Sequence, residues 1–499
     1  MTESLIPGRF RLRVAAVILA LLTTGIPAPW PSAQDTPLPV PSRIERKNRA
    51  PVSAETLRVR LPKPVEAKLA NGLTLLLLED RRLPYISAEL HIRGAGALFE
   101  SPALSGLAST TAAMLREGTR SRTSREIAET LDRLGASAGA SASFGSAETV
   151  LGASGLSENF DDWFPVAVEM LLHPTFPEVE LSRLKDRLRV QLRQQRGTGR
   201  FLMNERFHSA VFGKHPAARI SATPESIKAL TPKLLAEWHR ERYVPNRSIL
   251  AIAGDFAPAE LIGKLHNWLA GWRPPATNSA PVPPAAEPVP VRKVYLVDRP
   301  DAVQTNLTIG NIALDRRSDD FVPMVVLNQL LGGGPASRLF LNLREEKGYT
   351  YGAYSGFTAL EYAGPWQASA DVRTEVTEGA LVELLGELRR IAETSVGETE
   401  LEASKRAVVA RFALALEQPS RLLGFALTRK FYSFPEDYWD RYPAMIAAVT
   451  PDDIQRVARR YLKPETMQIV AVGDRKRIQP VLEKFGPLEI YDVNGNVVR

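Results

Sequence analysis

The chain carries six histidines, His91, His173, His208, His215, His239 and His266, and no cysteine. Metal-assisted hydrolysis on one helix needs two imidazoles flanking a carboxylate, at His-x-x-Glu-His or His-Glu-x-x-His spacing. No pair of these histidines has either spacing. The absence of thiols excludes disulfides, thiolate catalysis, lipoprotein acylation and cysteine-based metal sites. His215, in FGKHP, reads as structural, and His208 and His239 fall in helical patterns as surface or half-buried residues. Glu148, Asp161 and Asp162 read as solvated charges, and the carboxylates are too dispersed to form a two-acid catalytic pair. One segment is denser in chemistry. Residues 331–357 read LGGGPASRLFLNLREEKGYTYGAYSGF: three glycines for a tight turn, a helix over 337–346, then a strand over 349–354. On residue types alone, Arg344 pairs with Glu345, Glu346 or a neighbour, and Tyr351 packs in a sheet.

The elements that must position these residues follow from periodicity. Residues 73–78 form a buried-strand run, and 86–92 (ISAELHI) alternate apolar with polar. A turn at 94–96 leads into an apolar helical run over 105–119, SGLASTTAAMLREGT, opened by Gly106 and closed by Gly118 and Thr119. Thr123 caps a helix to about Leu134. A small-residue stretch over 135–144 precedes a strand near 149–151, and amphipathic helices follow at 160–172 and about 178–195. Residues 273–292 are a Pro-rich linker, with seven prolines between 274 and 290 favouring an extended spacer. The sequences flanking it are related. Thr231-Pro232 and Thr450-Pro451 stand 219 residues apart, as do Gly254-Asp255 and Gly473-Asp474. Each copy reads as a capped helix, a turn and a strand ending in Gly-Asp, so the spacing predicts a duplicated α+β domain.

The helical run at 105–119 resembles the metal helix of the inverzincin metallopeptidases, the pitrilysin, insulinase and mitochondrial processing peptidase family. On that match the two His positions are Ser109 and Ala113, and the Glu position is Ala112. The family's third ligand, a glutamate on a later helix, would fall near Gln191, Arg193 and Gln194. All three ligands and the general base are therefore replaced. The segment 331–357 resembles the family's Arg/Tyr segment, and the match places that pair at Arg344 and Tyr351. A guanidinium and a phenol can hydrogen-bond the carbonyls of an extended peptide and stabilise developing oxyanion charge. The resemblance covers roughly residues 65–485. It implies two homologous domains around a chamber, with the work often split between a zinc-binding chain and a chain carrying the Arg/Tyr pair.

Composition sets the remaining expectations. An apolar fraction of 44% and a charged fraction of 24% suit a globular protein with large cores. The net charge is +7, but Lys and Arg are scattered, without the basic stripes that bind nucleic acid. Arg9, Arg11 and Arg13 precede an apolar run over 14–26 and a small-residue exit near Ala33, which reads as a secretory signal, too short for a comfortable span, with a retained membrane anchor and a mitochondrial presequence as the alternatives. Its removal takes away three Arg and Glu3, leaving about +5. The expected organisation is a signal peptide at 1–33, a flexible lead-in at 34–64, an N-terminal peptidase-like domain at 65–272, the linker at 273–292 and a C-terminal domain at 293–499. The expected protein is periplasmic or secreted, with no membrane span once the signal is removed and no nucleic-acid partner. It is expected to be a zinc-free subunit with peptide substrates, inactive alone, whose homologous partner supplies the zinc. A non-catalytic scaffold or peptide-binding module is the alternative, and an active peptidase with a rearranged metal site is the third reading.

Overall fold

The computed structural model describes Glu55 and residues 57–274 and 281–498. The expected signal peptide and most of the lead-in lie outside the described residues. Among those that are described, no helix is long and apolar enough to cross a membrane.

Two six-stranded sheets organise the chain. The first contains β1 (Val65–Lys68), β2 (Thr74–Glu79), β3 (Tyr85–Arg93), β4 (Ser137–Ser141), β5 (Glu148–Leu156) and β6 (Ser248–Gly254), in the order β1-β2-β6-β3-β5-β4. The second contains β7 (Val294–Asp298), β8 (Gln304–Leu314), β9 (Thr350–Phe357), β10 (Gly364–Arg373), β11 (Gln468–Gly473) and β12 (Leu488–Tyr491), in the order β12-β7-β11-β8-β10-β9. The duplication is visible in this topology: β2, β6 and β3 correspond to β7, β11 and β8, and Thr231 and Thr450 each cap the helix before the Gly-terminated strand. The outer strands break the repeat. β1 runs antiparallel to β2, whereas β12 runs parallel to β7.

Each sheet is covered on both faces over part of its width, at β2 and β6 and at β7 and β11, which explains the continuous apolar runs of those strands. Along β2, Leu75 and Leu77 enter a core built from helices of their own half, including Phe160–Leu172. Leu76 and Leu78 point the other way, onto Leu423, Ala426 and Leu427 of helix Pro419–Tyr432, which belongs to the second copy. Strand β11 mirrors this. Ile469 and Ala471 enter the second copy's own core, while Val470 and Val472 join Leu202 and Phe207 of helix Gly199–Phe212 from the first. The two copies thus exchange one helix each. The exchange depends on Gly310 in β8, where a Cβ would stand 2.7 Å from the Phe207 ring and 2.3 Å from the Trp366 carbonyl oxygen.

The Pro-rich segment is strapped to this body over its described part. His215 Nε2 lies 3.1 Å from the Pro284 carbonyl, the Asn311 side chain bonds both the N–H and the carbonyl of Val289, and Gln468 donates to Val291. Val59 and Leu61, in the expected lead-in, pack against the second copy's core, and the Leu61 N–H donates to Asp440.

Candidate functional site: a vacated metal helix and an Arg/Tyr pair

The helix expected over 105–119 is shorter, Leu107–Met114, because Gly106 starts it with φ +95 and Leu115 closes it. A glycine at the N-cap has no side chain to satisfy the first N–H groups. Glu100 supplies the missing acceptors from outside the helix: its two carboxylate oxygens accept from Gly106 N and Ala108 N. Burial pushes this carboxyl up to about 7, against the pull of those two N–H groups and of Arg219. Glu100→Gln would place an amide NH2 against one of the two donors. Urea unfolding of this variant should show a loss of about 1–3 kcal/mol, the cost of a buried unmatched polar group; an unchanged midpoint would remove Glu100 from this role.

Ser109 and Ala113 lie four residues apart, on one face. Both are half-buried, whereas Ala112 is fully buried. The Ser109 hydroxyl donates to the Gly106 carbonyl, and the two alanines offer no donor atom. On helix Glu178–Arg196, Gln191, Arg193 and Gln194 are all exposed. Arg187 of that helix reaches Glu117, just beyond the vacated helix, at 3.7 Å. A neutral hydroxyl already turned to its own backbone and two methyl groups do not fit a zinc ion, which takes imidazole, thiolate or carboxylate ligands.

Arg344 and Tyr351 sit on adjoining elements, and each stands on a one-residue irregularity. The helix expected at 337–346 opens as Arg338–Phe340 and then widens into a π-helical turn, Leu341–Glu346, which carries Arg344. Within that turn the buried amide of Asn342 donates to Glu383 and Glu387, tying the turn to helix Thr377–Glu393. In β9 the register to β10 slips between Thr350 and Ala353, so Tyr351 and Gly352 together face the single residue Asp371. The bulge re-aims Tyr351. Its side chain is 89% exposed on the outer strand of the sheet, contrary to the packed position that residue type alone suggested. The Arg344 guanidinium lies 4.8 Å from the Phe340 ring centroid and 3.6 Å from Glu345, and remains about half exposed. The first copy has neither device: helix Ser124–Arg133 is regular, and β4 pairs with β5 without a slip. π-turns and bulges of this kind concentrate at functional sites.

Four of the histidines are held by neighbouring groups, and His173 and His266 are exposed. His215 accepts from Ala217 N, His208 Nδ1 lies 3.2 Å from the Ala217 carbonyl, and His239 Nε2 lies 2.8 Å from the Leu171 carbonyl; burial depresses His239 to about 4. Asp161 is a surface charge paired with Lys264. Glu148 corrects the sequence reading. It is not simply solvated, because it faces His91 across β3 and β5 at 3.2 Å, while Glu89 stands 3.3 Å from the other ring nitrogen. Burial opposes the charge on this imidazole, but Glu148 and Glu89 outweigh it and raise His91 to about 9. A histidine raised in the folded state stabilises fully below its unfolded value of 6.5 and loses that contribution as pH rises through about 9. Thermal unfolding should therefore show stability falling by up to about 3 kcal/mol across this window. The slope should flatten in His91→Gln, and an equal slope in that variant would contradict the assignment.

Two six-stranded sheets with exchanged helices, a vacated metal helix and an Arg/Tyr pair define a duplicated α+β domain of metallopeptidase type. Comparison with known proteins agrees. Residues 81–225 match the model described as insulinase (peptidase family M16), and residues 229–408 match the M16 inactive domain. The chain belongs to the M16 family. It is 26% identical to the "uncharacterized zinc protease YmxG" of Bacillus subtilis, over 70% of this chain and 83% of that one. It is also 26% identical to a Streptomyces coelicolor protein described in the same words, SCO5738, over 76% and 84%. Among solved structures, an M16 inactive domain from Pseudomonas fluorescens superimposes with a TM-score of 0.75 at 25% identity, over 83% of this chain and 98% of that chain. A Helicobacter pylori protease shares the fold with a TM-score of 0.76 at 19% identity, over 83% of this chain and 100% of its own. The inactive-domain matches are consistent with a non-catalytic member of the fold.

Proposed function

We propose that this chain is the zinc-free, substrate-positioning subunit of an exported heterodimeric metallopeptidase that acts on peptides. The partner is a homologous chain that holds the zinc and activates the water. Arg344 and Tyr351 reach the peptide from this side, binding its carbonyls and the oxyanion as charge develops. The observation that carries the reading is the pair itself: both side chains are exposed, one on a π-helical turn and one in a β-bulge, and the duplicate half has neither irregularity. The unpaired edge of β9 beside Tyr351 offers an extended peptide main-chain hydrogen bonds. Positioning without a nucleophile gives little rate, so the chain alone is inactive.

A tagged pull-down from the periplasmic fraction, read by mass spectrometry, tests this. A co-purifying homologue with His-x-x-Glu-His supports the subunit role. Recovery of the chain alone, or with unrelated proteins, favours a scaffold or peptide-binding module. Stoichiometric zinc in the purified chain would instead point to a rearranged metal site. N-terminal sequencing of the mature protein tests export, with cleavage near Ala33 expected.

A further inference from the structure

The two copies meet around a cavity of about 350 Å³ that the Arg/Tyr pair does not use. Its walls come in corresponding pairs. The β4–β5 turn supplies Phe144 and the β9–β10 turn supplies Leu360 and Tyr362, while Phe212 and Phe431, 219 residues apart, close the sides from the two exchanged helices. Tyr432 completes an aromatic lining. The volume falls within the range of small-ligand pockets.

The charge of the lining is one-sided. Glu148 and Glu361 are its carboxylates, no Lys or Arg lines it, and burial lowers the one imidazole there, His208, toward its neutral form. Each carboxylate is approached from behind at one oxygen: Arg93 bonds Glu361 Oε1, and His91 stands 3.2 Å from Glu148 Oε2. The two carboxylates come from different copies. Aromatic faces attract cations, and a carboxylate accepts a charge-assisted hydrogen bond.

We propose that this seam cavity binds an organic monoammonium ion with an aromatic body, its ammonium donating to Glu148 and Glu361 and its ring lying among Phe144, Phe212, Phe431 and Tyr362. The site is separate from the proposed peptide-positioning role and does not depend on it.

Calorimetric titration of the full chain with tryptamine tests the site, with indole-3-acetate and indole-3-ethanol as anionic and neutral controls of the same shape. Tryptamine should bind and indole-3-acetate should not, with indole-3-ethanol at least ~10-fold weaker than the amine. The double variant Glu148→Gln/Glu361→Gln should lose at least ~10-fold of the tryptamine affinity. Because Glu148 also pairs with His91, Thr358→Trp provides a second route: Thr358 is an exposed lining residue, and an indole there should fill the cavity and block binding at an unchanged melting temperature. A tryptophan-initiated tripeptide amide distinguishes the source: if it binds like tryptamine, the site takes peptide amino termini, and if only tryptamine binds, it takes free amines. No heat with tryptamine up to millimolar concentration overturns the proposal. So does equal binding of indole-3-acetate, or full affinity in both folded variants.

Discussion

Arg344→Ala should reduce kcat/KM of the assembled peptidase by about 10²–10³-fold, the loss seen when one preorganised oxyanion donor is removed. The measurement is cleavage of a fluorogenic peptide by this chain reconstituted with its zinc-binding partner, alongside size-exclusion chromatography of the complex. The guanidinium is about half exposed and its nearest carboxylate is a neighbour in sequence at 3.6 Å, so the substitution should change stability by no more than about 0.5 kcal/mol. Turnover is therefore lost while assembly persists. Arg344→Lys should rescue only part of the rate, because an ammonium keeps the charge but loses the planar fork. Tyr351→Phe removes only a hydroxyl from a side chain 89% exposed, and should lower kcat without altering the fold. If Arg344→Ala leaves turnover intact, the positioning role fails and the scaffold reading takes its place.

Phe207→Ala should cost about 3–5 kcal/mol, the range for removing a fully buried aromatic side chain. Phe207 lies on a helix of the first copy, yet it packs against β8 and β11 of the second, over the bare backbone of Gly310. Its loss would leave a void between the exchanged helix and the sheet beneath. Gly310→Val, approaching the same contact from the other side, should be at least as damaging, because a Cβ there meets both the ring and the Trp366 carbonyl. Urea unfolding of both variants provides the check. A cost under about 1 kcal/mol for Phe207→Ala would mean that this helix is not held by the second sheet.

Much of the fold was legible because duplication and periodicity are properties of the sequence itself. The 219-residue offset identifies corresponding elements, and the helix expected at 160–172 forms as Phe160–Leu172. Strand β4 was not legible: SAGAS alternates only small residues, too weak an apolar signal to mark a strand, and it pairs with β5 along its length. The continuous leucines of β2 imply a strand covered on both faces, but nothing local says that its second cover comes from residues 419–432. The same limit applies at the site. Arg344 and Tyr351 were found through a pattern of neighbours, whereas the π-turn that Asn342 ties to a distant helix and the slip against β10 are tertiary features that no local pattern announces. Glu148 was misread for a related reason, since its partner His91 lies far away in sequence and adjoins it only through strand pairing.

The helix exchange also bears on how such a chain arose. Each sheet has one face that only the other copy can cover, so a single copy standing alone would have exposed Leu76 and Leu78, or Val470 and Val472, to water. An ancestor of half this length would have existed as a swapped homodimer, each protomer lending its helix to the other's sheet. Carrying both copies on one chain turns an association between two molecules into one within a single molecule. Once the copies were fused they no longer had to be identical. The second could acquire its π-turn and bulge while the first kept its regular helix and unslipped strands, an asymmetry that no true homodimer can support.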